Sequence, residues 1–387
     1  MIIDNFFTKF FLMRTAIILI GLLSFSALTS TLRAQVAIDE IHFPDPLFRK
    51  YVTEYFNHDT IPDTLSVAEL NSIKSIYVLG DSINSLQGIE YFYNLKYIGC
   101  SNNNLQHIDL SHNAELQRID CCYNNLTSLD LSHNYNIQSV SCTNNMLTSI
   151  LLPDSCYLEQ LECDNNSLLS LNLTRATHLR ELSCTDNMLT SLILPTQSPL
   201  KIIRCHHNRL TCLDLSDSPR IFDVQCNNNS LTQLDLADKQ RLKYLRCDSN
   251  YIDTLNIANT PVLAYLSCSY NRLALLDVSQ CPALVHVECS NNYLQALSLK
   301  SNDCLDILDC SNNMISELRY KRKIHIINAD NNNNLDRRSR VMLWRTNSLR
   351  PRLAAVGQVF AGVGIVATAP ISLPIIVIHA LRHMWNY

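Results

Sequence analysis

The stretch "LRELSCTDNMLTSLIL", residues 179–194, shows a pattern that recurs every 21 residues along the chain. Apolar residues stand five and two positions before its cysteine, and five, eight and ten positions after it. An asparagine always follows the cysteine by three residues. Eleven cysteines keep this spacing, and they are Cys100, Cys121, Cys142, Cys163, Cys184, Cys205, Cys226, Cys247, Cys268, Cys289 and Cys310. So many copies in phase define an internal repeat.

The repeat predicts a stack of short strands. Side chains around each cysteine alternate inward and outward with period two, which indicates a β-strand. We expect the asparagine to turn the chain, because its amide can bond unpaired backbone groups and asparagine tolerates left-handed backbone. No glycine occurs between Cys100 and Leu335, so asparagine must supply these turns. One coil cannot bury its apolar edge alone, whereas stacked coils bury a continuous core. The pattern is that of a curved leucine-rich-repeat solenoid, with a parallel β-sheet on the concave face and an irregular or short-β convex side.

The repeat array occupies residues 73–335, about 12 coils, and a small helical N-terminal cap is expected over residues 36–72. Asp45 can cap a first helix that begins at Pro46, and Ser66 with Glu69 forms a capping box for a second. Residues 1–34 read as a signal peptide, because an apolar run follows Arg14 and small residues lead to Ala34. The alternative is an uncleaved anchor. We therefore expect an exported protein, located at the cell surface, in the outer membrane or in the medium.

The C-terminal end allows several interpretations. Residues 336–352 are rich in arginine, and residues 353–381 form a hydrophobic segment long enough for a transmembrane helix. Pro370 and Pro374 interrupt that segment, and arginines normally flank the cytoplasmic side rather than an exported body. A C-terminal cap on the last coil, or a non-native tail, are the other interpretations.

The charge of the repeat array argues against nucleic acid as a partner. Residues 1–34 carry three basic groups and one acid, and the chain from Asp336 carries seven arginines and one acid. Residues 35–335 then hold 21 basic and 33 acidic groups, a net charge of −12. Such a body repels phosphate backbones.

The cysteines and histidines predict neither a cofactor nor a metal. An odd ladder of equivalent cysteines cannot pair fully, so we expect buried, reduced side chains that pack as small apolar groups. Cys281 and Cys304 are the one pair worth testing for a disulfide. "CHHN", residues 205–208, is interpreted as an inward cysteine followed by two exposed histidines rather than a metal site. We find no catalytic motif and predict no enzyme.

The repeats "CSNNNLQHIDLS" (100–111) and "CCYNNLTSLDLS" (121–132) resemble secreted Bacteroidetes-type leucine-rich-repeat proteins, which are internalin-like. The resemblance covers roughly residues 40–335. It implies an extracellular or cell-surface module that binds a protein, in adhesion or host contact. The segment "NHDTIPDTLSVAEL" (57–70) departs from relatives that bind calcium there, because it has no glycine and its acids are off the ligand spacing. We also find no C-terminal β-domain of the kind that directs type IX secretion.

The repeat frame also predicts which side chains leave the sheet: those three and one before each cysteine, and one and two after it. Exposed tyrosine and arginine favour protein binding, and Tyr244 should stack on Tyr265. An envelope protein that uses the solenoid as a spacer and the C-terminal segment as an anchor is the alternative, and an enzyme is a third hypothesis. The candidate partner-binding residues are Glu162, Asp164, Glu181, Asp186, Arg204, His206, His207, Tyr244, Arg246, Tyr265, Tyr270, His286 and Glu288.

Overall fold

The computed structural model describes residues 35–58, 61–321, 324–332, 335–336 and 339. Among the helices of these residues, none combines the length and apolar character that a membrane span requires. The predicted signal peptide (1–34) and hydrophobic C-terminal segment (353–381) lie outside the described residues, as does most of the arginine-rich stretch.

The N-terminal cap contains two helices, α1 (Pro46–Phe56) and α2 (Val67–Ser72), and an antiparallel pair of strands, Val36–Ala37 and Thr64–Leu65. Asp45 Oδ1 accepts the N–H groups of Leu47 and Phe48 at 2.9 and 3.1 Å, as the sequence predicts. The capping box of Ser66 and Glu69 is also present. A 3-10 turn, Ile89–Tyr91, follows before the regular coils begin.

One parallel sheet of thirteen short strands runs the length of the stack, with strands adjacent in space in the order in which they occur in the chain. We call it the main sheet. Its strands are Ser75–Tyr77, Tyr97–Gly99, Arg118–Asp120, Ser139–Ser141, Gln160–Glu162, Glu181–Ser183, Ile202–Arg204, Asp223–Gln225, Tyr244–Arg246, Tyr265–Ser267, His286–Glu288, Ile307–Asp309 and Ile326–Asn328.

Shorter pairings form the other side of the stack, where two-stranded parallel ladders link neighbouring coils. The sequence predicts this short-β side, and the structure confirms a parallel β-solenoid with little helix. The strands are Ser128–Asp130 with Ser149–Leu151, Ser170–Asn172 with Ser191–Ile193, Gln233–Asp235 with Thr254–Asn256, and Ala296–Leu299 with Glu317–Tyr320.

The cysteines at 21-residue spacing, the ladder cysteines, are fully buried in the continuous core, as predicted. Burial raises the pKa of their thiols, to about 12 for Cys205. Several donate weakly to a carbonyl of the next coil, for example Cys142 Sγ to Glu162 O at 3.5 Å. All sixteen cysteines are free, so Cys281 and Cys304 form no bridge: Cys281 is buried against Thr260, and Cys304 is exposed.

The asparagine three residues after each ladder cysteine, the ladder asparagine, is the hydrogen-bonding centre of its turn. Asn124 Nδ2 donates to the carbonyls of Cys100 and Cys121 at 2.9 and 3.1 Å, and its Oδ1 accepts the N–H of Leu105 at 3.0 Å. Its amide therefore joins two coils, and the other ladder asparagines repeat the arrangement. The sequence predicts this role for the side chain, and it is confirmed.

The prediction about backbone conformation is wrong in one respect. The left-handed residue is not the ladder asparagine but the residue immediately before it. Because an asparagine often stands there too, the sequence does not separate the two positions. The residues with positive φ in this column are Asn102, Tyr123, Asn144, Asn165, Asp186, His207, Asn228, Ser249, Tyr270, Asn291, Asn312 and Asn331.

Candidate functional site

We call the outer surface of the main sheet, with the two residues that follow each ladder cysteine, the ladder face. None of the thirteen candidate partner-binding residues is buried, so all of them have side-chain surface in contact with solvent. The register sets them in columns: Tyr244, Tyr265 and His286 are consecutive neighbours, and so are Arg246, Ser267 and Glu288. The structure thus divides most of the candidates into three groups along the ladder face.

The first group is acidic and lies in the coils of Cys163 and Cys184. Glu162 Oε2 accepts Ser141 Oγ at 3.2 Å, and Glu181 Oε2 accepts Gln160 Nε2 at 3.2 Å. Asp164 serves the chain itself, because its carboxylate accepts the Ser183 hydroxyl at 2.8 Å and the Thr185 N–H at 2.6 Å. Glu162 and Glu181 therefore offer their charge to a partner, whereas much of the hydrogen-bonding capacity of Asp164 is already used.

The second group contains His206, His207 and Asp186. His207 Nδ1 lies 3.1 Å from Asp186 Oδ1, across one coil boundary. The rings of His206 and His207 meet nearly edge to face, with centroids 5.2 Å apart. Burial lowers the pKa of His206, which favours the neutral form of its ring. Arg204, on the strand that ends just before Cys205, is half-buried.

The third group is the most highly connected, and we call it the Tyr265 cluster: Arg246, Asp248, Tyr265, Ser267, His286 and Glu288. The centroids of the Tyr265 and His286 rings are 4.7 Å apart, and the Arg246 guanidinium lies 5.1 Å from the centroid of the Tyr265 ring. Glu288 Oε2 accepts the Ser267 and Tyr265 hydroxyls at 2.7 and 3.3 Å. His286 Nε2 is 2.8 Å from Glu288 Oε1. These contacts hold an aromatic ring in a fixed position at the surface.

The electrostatics of the Tyr265 cluster follow from these contacts. The hydrogen bond with His286 lowers the pKa of Glu288 to about 2. Burial raises the pKa of Tyr265 to about 12 and that of Asp248 above its ordinary value. Ser267 has one hydroxyl proton but contacts both carboxylates.

An open depression of about 480 Å³ lies over this cluster. Its lining is mainly polar and includes Arg246, Tyr265, Tyr270, Glu288 and Asp309. Small-molecule sites are usually enclosed and mostly apolar. An open polar depression flanked by tyrosine and arginine is more typical of a surface that contacts another macromolecule.

One expectation for this face is wrong, and some residues were missed. Tyr244 pairs with Tyr265 in register, but its ring packs edge to face on Phe222 at 5.4 Å instead of stacking on Tyr265. Asp248 and Ser267 are central to the cluster, although the sequence singled out only their neighbours. The repeat frame places both of these residues at outward positions, so the sequence could have identified them. It does not mark Phe222 as outward-facing, because Phe222 lies four residues before its ladder cysteine.

Comparison with known proteins shows which solved structures have a similar fold. Neither the protein-family models nor the curated proteins include a match. Among solved structures, the chain resembles the functional domain of InlJ from Listeria monocytogenes, which includes a cysteine ladder. The identity is 26% and the TM-score 0.61, over 78% of this chain and 63% of that one. InlF, an internalin from the same organism, gives 18% identity and a TM-score of 0.51, over 76% and 98% of the two chains.

A leucine-rich-repeat protein from Bacteroides eggerthii gives 16% identity and a TM-score of 0.54, over 70% of this chain and 55% of that one. At such identities the InlF and Bacteroides likenesses concern the fold. This chain spans less than two thirds of the InlJ domain. Neighbours with this fold are mostly non-enzymatic protein-interaction modules. The chain is therefore a leucine-rich-repeat solenoid of about 12 turns, whose structural neighbours include internalins and other bacterial leucine-rich-repeat proteins.

Proposed function

We propose that this chain is an exported recognition protein that binds a protein partner on its ladder face, with the Tyr265 cluster and Tyr270 at the centre of the contact. The observation that supports this proposal most strongly is the Tyr265 cluster itself. Tyr265 is fixed between Arg246 and His286, beside an open polar depression. Tyrosine and arginine held in place before binding bury much area at a small loss of entropy.

The charge of the array indicates what such a partner looks like. Residues 35–335 carry a net charge of −12, and Glu162 and Glu181 add acidic groups to the ladder face. Complementary charge speeds association and selects partners. A partner with a basic rim around an apolar or aromatic centre would fit both the acidic group and the Tyr265 cluster.

Export is the second part of the proposal, and it rests on the apolar run that precedes Ala34. A tag placed after Gln35, followed by fractionation and surface proteolysis of intact cells, measures it directly. Removal of the tagged solenoid by external protease supports export. Retention in the cytoplasm would contradict it and leave the ladder-face proposal to be tested on its own.

Partner binding is tested with a photo-crosslinking side chain at position 270, and a matched control at position 293. Tyr270 and Tyr293 are both exposed, at 61% and 53%, but Tyr293 lies two residues beyond the ladder face. Crosslinks to one protein from position 270 only would identify the partner. With that partner purified, Tyr270→Asn should weaken binding about 30-fold, as for a central hot spot worth about 2 kcal/mol. If Tyr270→Asn and Tyr293→Asn both bind the partner as tightly as the parent does, the result would favour the spacer hypothesis instead.

A further inference from the structure

The histidine pair of the ladder face gains a third polar partner from the preceding coil. Asp186 and His207 occupy the same column, two residues after consecutive ladder cysteines, and both have left-handed backbone, with φ of 51° and 55°. Parallel strands lie about 4.8 Å apart, so side chains in one column are within contact distance. His206 stands beside them in the adjacent column. The sequence interpretation considered the histidines only with Cys205, which points inward, and so did not include Asp186.

The distances within this group suit a shared ligand. One ligand atom from each of Asp186, His206 and His207 lies within 4.8 Å of the others. In a tetrahedral zinc shell with bonds of about 2.0–2.1 Å, ligand atoms are about 3.4 Å apart. Asp186 Oδ1 and His207 Nδ1, at 3.1 Å, already have nearly that separation. A side-chain rotation that moves the His206 nitrogen by about 1.4 Å or less would bring it to the same separation.

His206 also carries an unmet polar atom. Its Nδ1 is buried and has no hydrogen-bond partner among the residues that the structure describes. Buried polar atoms without a partner are uncommon and call for an explanation. The nearby carboxylate of Asp164 adds negative potential, and it is kept in place by Ser183 and Thr185 rather than by the histidines. Arg246 adds a smaller positive potential at the same ring, and the two carboxylates of Asp186 and Asp164 outweigh it.

We propose that Asp186, His206 and His207 bind a divalent first-row transition ion such as Zn²⁺. Two imidazole nitrogens and one carboxylate favour this class over Ca²⁺ or Mg²⁺, which prefer all-oxygen shells. Because Asp186 and His207 are exposed, the remaining coordination position faces solvent, where it takes water or a donor group from another molecule. The proposed metal site lies in a different group from the Tyr265 cluster, so its test does not depend on whether the cluster binds a partner.

The test is a titration of the full chain with Co²⁺, followed by displacement with Zn²⁺. Co²⁺ absorption bands distinguish nitrogen and oxygen ligands from thiolate, which matters because Cys212 and Cys304 are exposed. We expect one saturable equivalent, with bands of a nitrogen–oxygen shell and no thiolate charge transfer. Asp186→Asn and His207→Asn should each weaken binding at least 10-fold.

Asparagine is the suitable replacement because it occupies the same left-handed column in neighbouring coils, for example Asn165 and Asn228, so the fold is kept. His178→Gln is the matched control: it removes an exposed histidine that lies outside the ladder face, and it should bind Co²⁺ like the parent. The proposal is overturned if the parent shows no saturable Co²⁺ binding. It is also overturned if affinity survives both asparagine variants, or if the spectrum is that of thiolate.

Discussion

Replacement of a single ladder asparagine, Asn229→Ala, should cost a large share of the stability of the stack. Asn229 Oδ1 accepts the buried N–H of Leu210 at 2.9 Å. Its Nδ2 donates to the carbonyl of Cys205 at 2.9 Å and to that of Cys226 at 3.1 Å. An alanine would remove these three contacts at once, between two successive coils, together with a longer contact from Asn229 Nδ2 to the Asn227 carbonyl at 3.4 Å.

The three losses are not equal. The carbonyl of Cys205 keeps a bond from Asn208, and that of Cys226 keeps one from Asn250, each at 3.1 Å. Each lost carbonyl bond then costs about 0.5–1 kcal/mol. The N–H of Leu210 is left buried without an acceptor, which costs about 1–3 kcal/mol. The free energy of unfolding should fall by about 2–5 kcal/mol in total.

Urea unfolding followed by far-UV circular dichroism measures this change. Asn227→Ala is the control: Asn227 lies in the same turn, is half-buried, and makes no side-chain hydrogen bond with the described residues. That variant should stay within about 0.5 kcal/mol of the parent. Stacked coils can unfold in segments, so amide exchange should also show faster exchange at Leu210. A loss below about 1 kcal/mol, or one equal to that of the control, would refute the role given to the ladder amide.

Three further outcomes are expected. Tyr270→Asn should raise the free energy of unfolding by about 0.5–1 kcal/mol, because asparagine tolerates the left-handed backbone at φ 55° better than tyrosine; urea unfolding measures this, and a loss of stability would contradict it. In native protein a disulfide reagent should modify the exposed Cys212 and Cys304 rapidly, and the ladder cysteines only after unfolding; early labelling of ladder thiols, located by mass spectrometry, would contradict their burial. Glu288, whose folded pKa of about 2 lies below its ordinary value of 4.5, contributes stability that is complete above pH 4.5 and lost as the pH falls towards 2. Glu288→Gln should therefore show a shallower loss of stability across that window in urea unfolding at several pH values, and an unchanged slope would count against the hydrogen bonds assigned to Glu288.

The sequence predicts the architecture well because one repeat fixes it many times over. The inward positions, the strand phase and the bonding role of the ladder asparagine all follow from a single coil, and other coils confirm them. The left-handed position could not be assigned in the same way, because many coils have two consecutive asparagines, as in Asn144 and Asn145. Coils such as Tyr123–Asn124 and His207–Asn208 separate the two roles. The residue whose side chain bonds the backbone stays asparagine, whereas the residue whose backbone turns can change.

Side-chain contacts across coils were harder to predict than columns. Register follows from the 21-residue spacing, and it correctly placed Tyr244 beside Tyr265. The direction of each ring depends on its rotamer and on neighbours in other columns, which the spacing does not give. The Tyr244 ring packs against Phe222, whereas the Tyr265 ring packs against His286 and Arg246. The approach of Asp186 to the histidines was, by contrast, accessible from repeat arithmetic, because Asp186 and His207 are 21 residues apart.

The left-handed column gives an independent reason to locate function on this face. A side chain other than glycine costs free energy there, and asparagine, aspartate and histidine cost less than the other side chains. Asparagine occupies this column in seven of the twelve coils. The five departures are Tyr123, Asp186, His207, Ser249 and Tyr270. Four of these five belong either to the proposed metal site or to the lining of the depression over the Tyr265 cluster. Ser249 and Tyr270, in the lining of the depression, are the two of these four whose side chains the left-handed backbone tolerates less well. Backbone strain kept at positions that line a surface depression is the pattern expected of a binding site, and this observation comes from backbone geometry rather than from the side-chain contacts of the Tyr265 cluster.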